Sequence, residues 1–185
     1  MTEVRHFSTD ELNAGVDQVR QSPADSGRLE MISRRPEIGE RVLLEEAELD
    51  TAEGLAGDNW STRGARSDPP REANPEAQLT LMNARSAEAV SGSRERWSLA
   101  GDQLYVDLDI GETNLPAGSR VAIGSAIVEV TAEPHPGCKK FVERFGLDAM
   151  NWVNSPEGKQ MRLRGVNTKV VQAGTIHVGD SITKV

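Results

Sequence analysis

The residue pattern predicts a mainly β protein, a closed or nearly closed barrel with a few short peripheral helices, and three observations carry that prediction. From about residue 28 onward, short runs of period two or mixed apolar character recur between glycine, proline and asparagine. Many short strands with frequent turns suggest a barrel. Helix-permissive stretches are few and brief. Finally, the chain contains an echo. Ala117-Gly118-Ser119, Val121-Ala122-Ile123-Gly124 and Ile127-Val128-Glu129-Val130 read against Ala173-Gly174-Thr175-Ile176-His177-Val178-Gly179 and Ile182-Thr183-Lys184-Val185. Each copy describes a short strand, a glycine turn and a longer alternating strand. Two β-hairpins under the same steric demands account for it more simply than duplication of a site.

The elements follow in order. Ser8-Thr9-Asp10-Glu11 has the spacing of a capping box, in which hydroxyl and carboxylate satisfy orphan N–H groups at a helix start. Leu12, Val16 and Val19 continue at helical spacing, and Pro23 ends the segment. Residues 1–27 therefore read as a helical appendage, and residues 28–185 as the barrel domain. Strands are expected over 29–34, 41–49, 78–82, 103–108, 120–123 and 126–131, then over 161–165, 169–172, 176–178 and 181–184. Short helices are expected over 83–91, 137–145 and 148–153. The longest irregular stretch is 57–77, and loops beyond about 12–15 residues in a compact domain are usually functional or disordered.

Composition narrows the class. The 185 residues suit one domain, and 29 acidic against 21 basic residues give a net charge of −8. That balance argues against general affinity for nucleic acid or an anionic membrane, which need a basic footprint, but leaves room for a local basic pocket. The most apolar stretch, 121–132, is interrupted by Gly124, Ser125 and Glu129, far short of a membrane span. The N-terminus lacks the apolar segment of a signal peptide, so a cytoplasmic protein is expected. No Walker phosphate loop, G-x-G-x-x-G or G-x-S-x-G occurs, and His6, His135 and His177 are scattered without paired metal-ligand spacing.

The lone cysteine, Cys138, excludes an intrachain disulfide and any cysteine-rich metal site. It sits in His135-Pro136-Gly137-Cys138-Lys139-Lys140-Phe141. Pro136 in the first turn of a helix places the thiol near the positive end of the dipole, beside two lysines. Both influences stabilise the thiolate, the form that acts as nucleophile and soft-metal ligand. His135 folded back over the sulfur would add a positive charge or a proton relay, whereas Glu133 and Glu143 would oppose. The competing reading is a buried cysteine acting as a small hydrophobe. Arg162 and Arg164 flank Leu163, which on a strand puts both guanidinium groups on one face, suited to phosphate. Asp107, Asp109, Glu112 and Asn114 are close enough in sequence for a hard cation, or equally form a solvated turn.

An ordered set of motifs resembles the MOSC domain family, the module also found at the C-terminus of molybdenum cofactor sulfurases. The set is Gly54-Leu55-Ala56-Gly57-Asp58, Gln78-Leu79-Thr80-Leu81-Met82-Asn83, Gly101-Asp102-Gln103-Leu104, Asn114-Leu115-Pro116-Ala117-Gly118, His135-Pro136-Gly137-Cys138 with Phe141 and Arg144-Phe145-Gly146, Arg162-Leu163-Arg164-Gly165, and Val178-Gly179-Asp180. The resemblance implies a fold like the barrel domain of pyruvate kinase, and it matches Cys138 to the family's functional cysteine. Relatives ligate the molybdenum of a pterin cofactor with that thiol or are proposed to carry sulfur on it, and some reduce N-hydroxylated compounds. On that basis Cys138 is the expected metal ligand and catalytic thiol, with His135 beside it. Arg63, Arg162 and Arg164 are the expected anchors for the cofactor phosphate, and Asn114 a pocket residue. A reductase would need an external electron donor, and a carrier an external cysteine desulfurase, since no lysine here is assignable to pyridoxal phosphate. One departure stands out: many relatives carry histidine soon after the Gly-Asp pair, where this chain has Asn59-Trp60. Reductase, sulfur carrier and a non-catalytic barrel that binds a small ligand or protein, with Cys138 in its core, all remain open at this level.

Overall fold

The computed structural model describes residues 4–185. Helix α1 (Thr9–Arg20) leads into strands β1 (Ser26–Arg34), β2 (Val42–Leu44), β3 (Glu46–Asp50) and β4 (Gly54–Leu55). Helix α2 (Trp60–Arg63) precedes β5 (Leu79–Asn83), α3 (Ala84–Ser91), a 3-10 helix over Arg94–Ala100, and β6 (Leu104–Asp107). Next come β7 (Arg120–Ile123), β8 (Ala126–Val130), α4 (Lys139–Phe145), α5 (Leu147–Asn154) and α6 (Pro156–Gln160). The chain ends with β9 (Val166–Gln172), β10 (Gly174–His177) and β11 (Ser181–Lys184).

Strands β11, β7, β8, β9, β5, β6 and β1 are neighbours in that order, and β1 pairs back onto β11, so the sheet closes on itself. Only β5 and β6 run parallel, and α3 with the 3-10 helix is the crossover that such a pair requires. Strand β2 extends the far end of β1, while β10, β3 and β4 form a separate three-stranded sheet.

Period two sorts the side chains into two cores. On β6, Leu104 and Val106 point into the barrel and Tyr105 into the helical layer. On β1, Leu29 and Ile32 both face inward although three positions apart, because a bulge between Leu29 and Met31 inserts a residue and turns Met31 outward. All of β5 is buried, since the barrel interior lies on one side and helices lie on the other. The capping box of α1 forms as expected, with Glu11 N donating to Ser8 Oγ and Ser8 N to Glu11 Oε2. Leu12 and Val19 are buried, and the helix packs on α3 and α5.

Several expected elements take another form. Residues 161–164 are a turn rather than a strand: Arg162 has φ 51° and Gly165 φ 119°, and neither fits an extended run. Arg162 and Arg164 therefore do not share a strand face. The second copy of the echo is not a hairpin, because β10 pairs with β3 while β11 pairs with β1 and β7. The stretch 41–49 splits into β2 and β3, which belong to different sheets. Pro136 precedes α4 instead of occupying its first turn, and Cys138 is the N-cap. Helix α6 and the 3-10 helix were not foreseen. The irregular stretch 57–77 contains α2 and two 3-10 turns, Gly64–Arg66 and Pro75–Ala77. No helix among the described residues is long and apolar enough to cross a membrane.

Candidate functional site

A helix end leaves backbone carbonyls without intrahelical partners. In the 3-10 helix over Arg94–Ala100 these carbonyls organise the site. Arg41 Nε donates to Ser98 O at 3.1 Å, Arg144 Nη1 to Leu99 O at 2.5 Å, Arg164 Nη2 to Ala100 O at 2.8 Å and Arg35 Nη1 to Gly101 O at 3.0 Å. One step earlier, Tyr105 Oη donates to Trp97 O at 2.7 Å. Four guanidinium groups from three separate parts of the chain are thus held side by side against one strip of carbonyls. Cations at a helix C-terminus also meet its partial negative charge.

Two buried carboxylates fix two of these arginines further. Asp58 takes Arg35 in a fork, Nε to Oδ1 at 3.0 Å and Nη2 to Oδ2 at 2.7 Å, the bidentate geometry that orients a guanidinium most firmly. Asp102 accepts Arg164 Nη1 on Oδ2 at 2.5 Å, and its Oδ1 lies 2.8 Å from His135 Nε2. Burial acts to raise the Asp102 carboxyl, but the Arg164 charge and the hydrogen bond from His135 outweigh it and hold the group well below the usual carboxylate range. For His135, burial and the Arg164 charge outweigh the pull of Asp102, so the imidazole is lowered and stays neutral. An ionised Asp102 only accepts, which puts the imidazole proton on Nε2. Nδ1 is left as a lone pair with no hydrogen-bond partner among the described residues.

Glycine makes this arrangement sterically accessible. A Cβ on Gly165 would lie 2.6 Å from Leu81 O, 3.1 Å from His135 Cδ2 and 3.2 Å from Asp102 Oδ1, so any other residue would collide with the Leu81 carbonyl and crowd the dyad.

These groups line a cleft of about 380 Å³, with Arg35, Arg41, Arg63, Arg144, Arg164 and Lys140 supplying positive charge. The Arg63 side chain has no hydrogen-bond partner among the described residues. Loss of surrounding water, followed by the charge of Arg35, lowers its guanidinium. Arg41 is lowered by burial and then by Arg144 and Arg35. Guanidinium groups depressed partly by one another mark a field that favours an anion. The side-chain oxygen of Asn59, buried in the cleft wall, also lacks a partner.

Cys138 lies in the same cleft with an exposed thiol, so the reading of it as a packing residue is overturned. Its position follows from helix α4, anchored by buried Phe141 and Phe145 with ring centroids 4.9 Å apart. Arg164 lies over the Phe141 ring at 5.1 Å. Upstream, Gly137 N donates to Asn154 Oδ1 at 3.0 Å, and Asn167 Nδ2 donates to the carbonyls of Glu133 and Pro134 at 3.2 and 3.1 Å. Residues 133–136 are therefore a pinned wall.

Of the residues singled out in the sequence, the cleft gathers Cys138, His135, Arg63 and Arg164. Arg162 lies outside it, with Nη1 donating to Ile110 O and Leu115 O. Asn114 lines neither the cleft nor the cavity behind its wall; its Nδ2 donates to the carbonyls of Ala24 and Asp109. The acidic stretch 107–114 is committed elsewhere, since Asp107 pairs with Arg85 and Asp109 Oδ1 accepts Gly111 N. No group of three His, Cys, Asp or Glu among the described residues is arranged to hold a metal ion. Arg35, Arg41 and Arg144 escaped the sequence reading. Only Arg35 had a signal, the Gly57-Asp58 pair whose acid receives it; Arg41 and Arg144 meet backbone carbonyls instead.

A sequence profile of the MOSC domain matches residues 68–183. No curated protein sequence matches the chain. Among solved structures, the YuaD protein of Bacillus subtilis aligns with a TM-score of 0.58 at 16% identity, over 85% of this chain and 94% of that one. YiiM of Escherichia coli aligns with a TM-score of 0.54 at 18% identity, over 85% of this chain and 69% of its own. YiiM of Geobacillus stearothermophilus aligns with a TM-score of 0.51 at 15% identity, covering 86% and 73% respectively. These likenesses are likenesses of fold.

Proposed function

The chain belongs to the MOSC domain family, and from that premise we propose that its cleft binds the phosphate-bearing pterin of a molybdenum cofactor, with Cys138 as the thiolate ligand of the metal. The observation that carries this reading is the conjunction of an exposed thiol and six cationic side chains in one cleft. A thiolate is a soft ligand, suited to such a metal. The residues fit the group: Arg63 is uncommitted and matches phosphate oxygens, and the unpartnered Asn59 oxygen supplies an acceptor. The bound cofactor would supply a two-electron redox centre, served by an external electron donor, for reducing N-hydroxylated compounds. The chain's own part is to hold the anion on Arg63 and Arg164 and present the sulfur from the N-cap of α4, with His135 in the cleft wall.

The same exposed thiol supports a second reading, a sulfur carrier. In that role the Cys138 thiolate attacks the terminal sulfur of a persulfide on a cysteine desulfurase. The new S–S bond forms on Cys138 and the desulfurase sulfur leaves as thiolate.

Expression in a host that makes molybdenum cofactor, with metal measured by mass spectrometry, separates these readings. Near-stoichiometric molybdenum in the wild type and its loss in Cys138→Ser is the result expected for cofactor binding. No molybdenum in either protein, together with transfer of labelled sulfur from a desulfurase onto Cys138, would leave the carrier role. Absence of both would overturn the proposal.

A further inference from the structure

The pinned wall at 133–136 has a second side. Behind it opens a cavity of about 720 Å³, larger than the cleft and within the roughly 300–1,000 Å³ usual for ligand pockets. Glu133, Pro134, His135, Pro136 and Arg164 line both spaces, but Cys138 lines only the cleft.

Three kinds of surface meet there. Pro116, Ala117, Val153 and Val166 supply apolar walls. Lys159, near the end of α6, and Arg162, in the turn that follows, bring positive charge, and Glu112 offsets part of it beside Arg162. Arg162 Nη1 is fixed by Ile110 O at 3.1 Å and Leu115 O at 2.6 Å, which leaves its other two nitrogens uncommitted. Among the described residues it is the only one other than glycine with positive φ, a conformation that persists where surroundings over-determine it. Lys159 Nζ has no partner among the described residues. On the wall itself stand two acceptors, the Glu133 carboxylate and Nδ1 of His135, and neither has a side-chain partner among those residues.

We infer that this cavity is a second ligand site, distinct from the cleft, for a flat ring bearing an amino group and an acidic group, with His135 in the wall common to both sites. The apolar walls take the ring faces. Glu133 and His135 accept the amino N–H groups, and Lys159 with the free edge of Arg162 receives the acid. The assignment does not depend on what the cleft binds.

Amide NMR titration of the isotopically labelled full chain with three probes tests it: 6-amino-2-naphthoate, 2-naphthoate and 6-amino-2-naphthamide. The first is expected to shift Ala117, Val153 and Val166 saturably. Removing either the amine or the acid should weaken binding about tenfold, the usual weight of one hydrogen bond to a charged partner. Lys159→Ser should weaken both naphthoates and leave the naphthamide unchanged. No saturable shift at millimolar probe, equal affinity for all three, or shifts confined to Gly101, Cys138 and Lys140 would overturn the inference. A parallel titration with inorganic phosphate, read at Gly101, Cys138 and Lys140, follows the cleft, so failure there is a separate result.

Discussion

Arg164 and Arg120 each meet a carboxylate at hydrogen-bond distance, but in different media. Arg164 and Asp102 lie 2.5 Å apart with side chains 8% and 0% exposed, whereas Arg120 and Glu129 bridge β7 and β8 at 2.9 Å with 55% and 21% exposed. Water screens the second pair, and such pairs contribute little. The first has no water to fall back on. Its charges are tolerable only because they are matched: Asp102 by Arg164 and the His135 N–H, and Arg164 by Asp102, Ala100 O and the face of Phe141, with Arg164 Nε left without a partner among the described residues. The buried network therefore stabilises less by being present than it would destabilise by being incomplete. What it supplies is a fixed guanidinium and an imidazole with a fixed tautomer at the wall of the cleft.

The largest effect follows from breaking the match. Asp102→Asn keeps the shape and removes the charge, leaving Arg164 uncompensated. Denaturant unfolding should show a loss of about 3–5 kcal/mol. Adding Arg164→Met to that variant should recover part of it. If the single variant unfolds like the wild type, the contrast between the two pairs is mistaken.

Acid should act through the same groups, more gradually. His135 is lowered, so the unfolded chain binds a proton first as pH falls below about 6.5, the ordinary histidine value. Stability present above that value is lost on acidification toward the lowered folded value. Asp102 is lowered too, so its contribution is present above the ordinary carboxylate range and is lost at still lower pH. Urea midpoints at pH 7, 6 and 5 should fall for the wild type. For His135→Gln the decline should begin only nearer the carboxylate range.

Arg63 tests the mouth of the cleft, where a cation has no carboxylate partner. Arg63→Ala should leave the unfolding free energy within about 0.5 kcal/mol, as expected for a surface change, and weaken phosphate binding about tenfold by calorimetry. The smallest effect belongs to the exposed pair. Glu129→Gln should cost about 0–1 kcal/mol and less at high salt. A larger loss there would erase the distinction drawn from burial.

Much of the barrel is legible in the residues because period two needs only local information. Leu104-Tyr105-Val106 alternates between two cores, and Ser8 with Glu11 announces the start of α1. The turn at 161–164 was missed because Arg162 and Arg164 alternate like strand residues, and only the packed chain imposes positive φ on Arg162. The site was partly legible for a related reason. Cys138 and His135 lie within one short motif, but Arg35, Arg41 and Arg144 become neighbours only when two distant segments reach the carbonyls of Ser98, Leu99 and Gly101.

Composition, periodicity and motif order determined by themselves a strand-rich chain of the MOSC family, with one thiol near the start of a short helix. Tertiary structure alone decided which charges surround that thiol. It confined Arg162 to the cavity behind the wall while Arg164 lines both spaces, and it placed His135 in the wall between them. The reason is physical. Alternation and capping depend on neighbours a few residues apart, whereas an electrostatic site sums groups brought together by closing the barrel, and no local pattern records that sum.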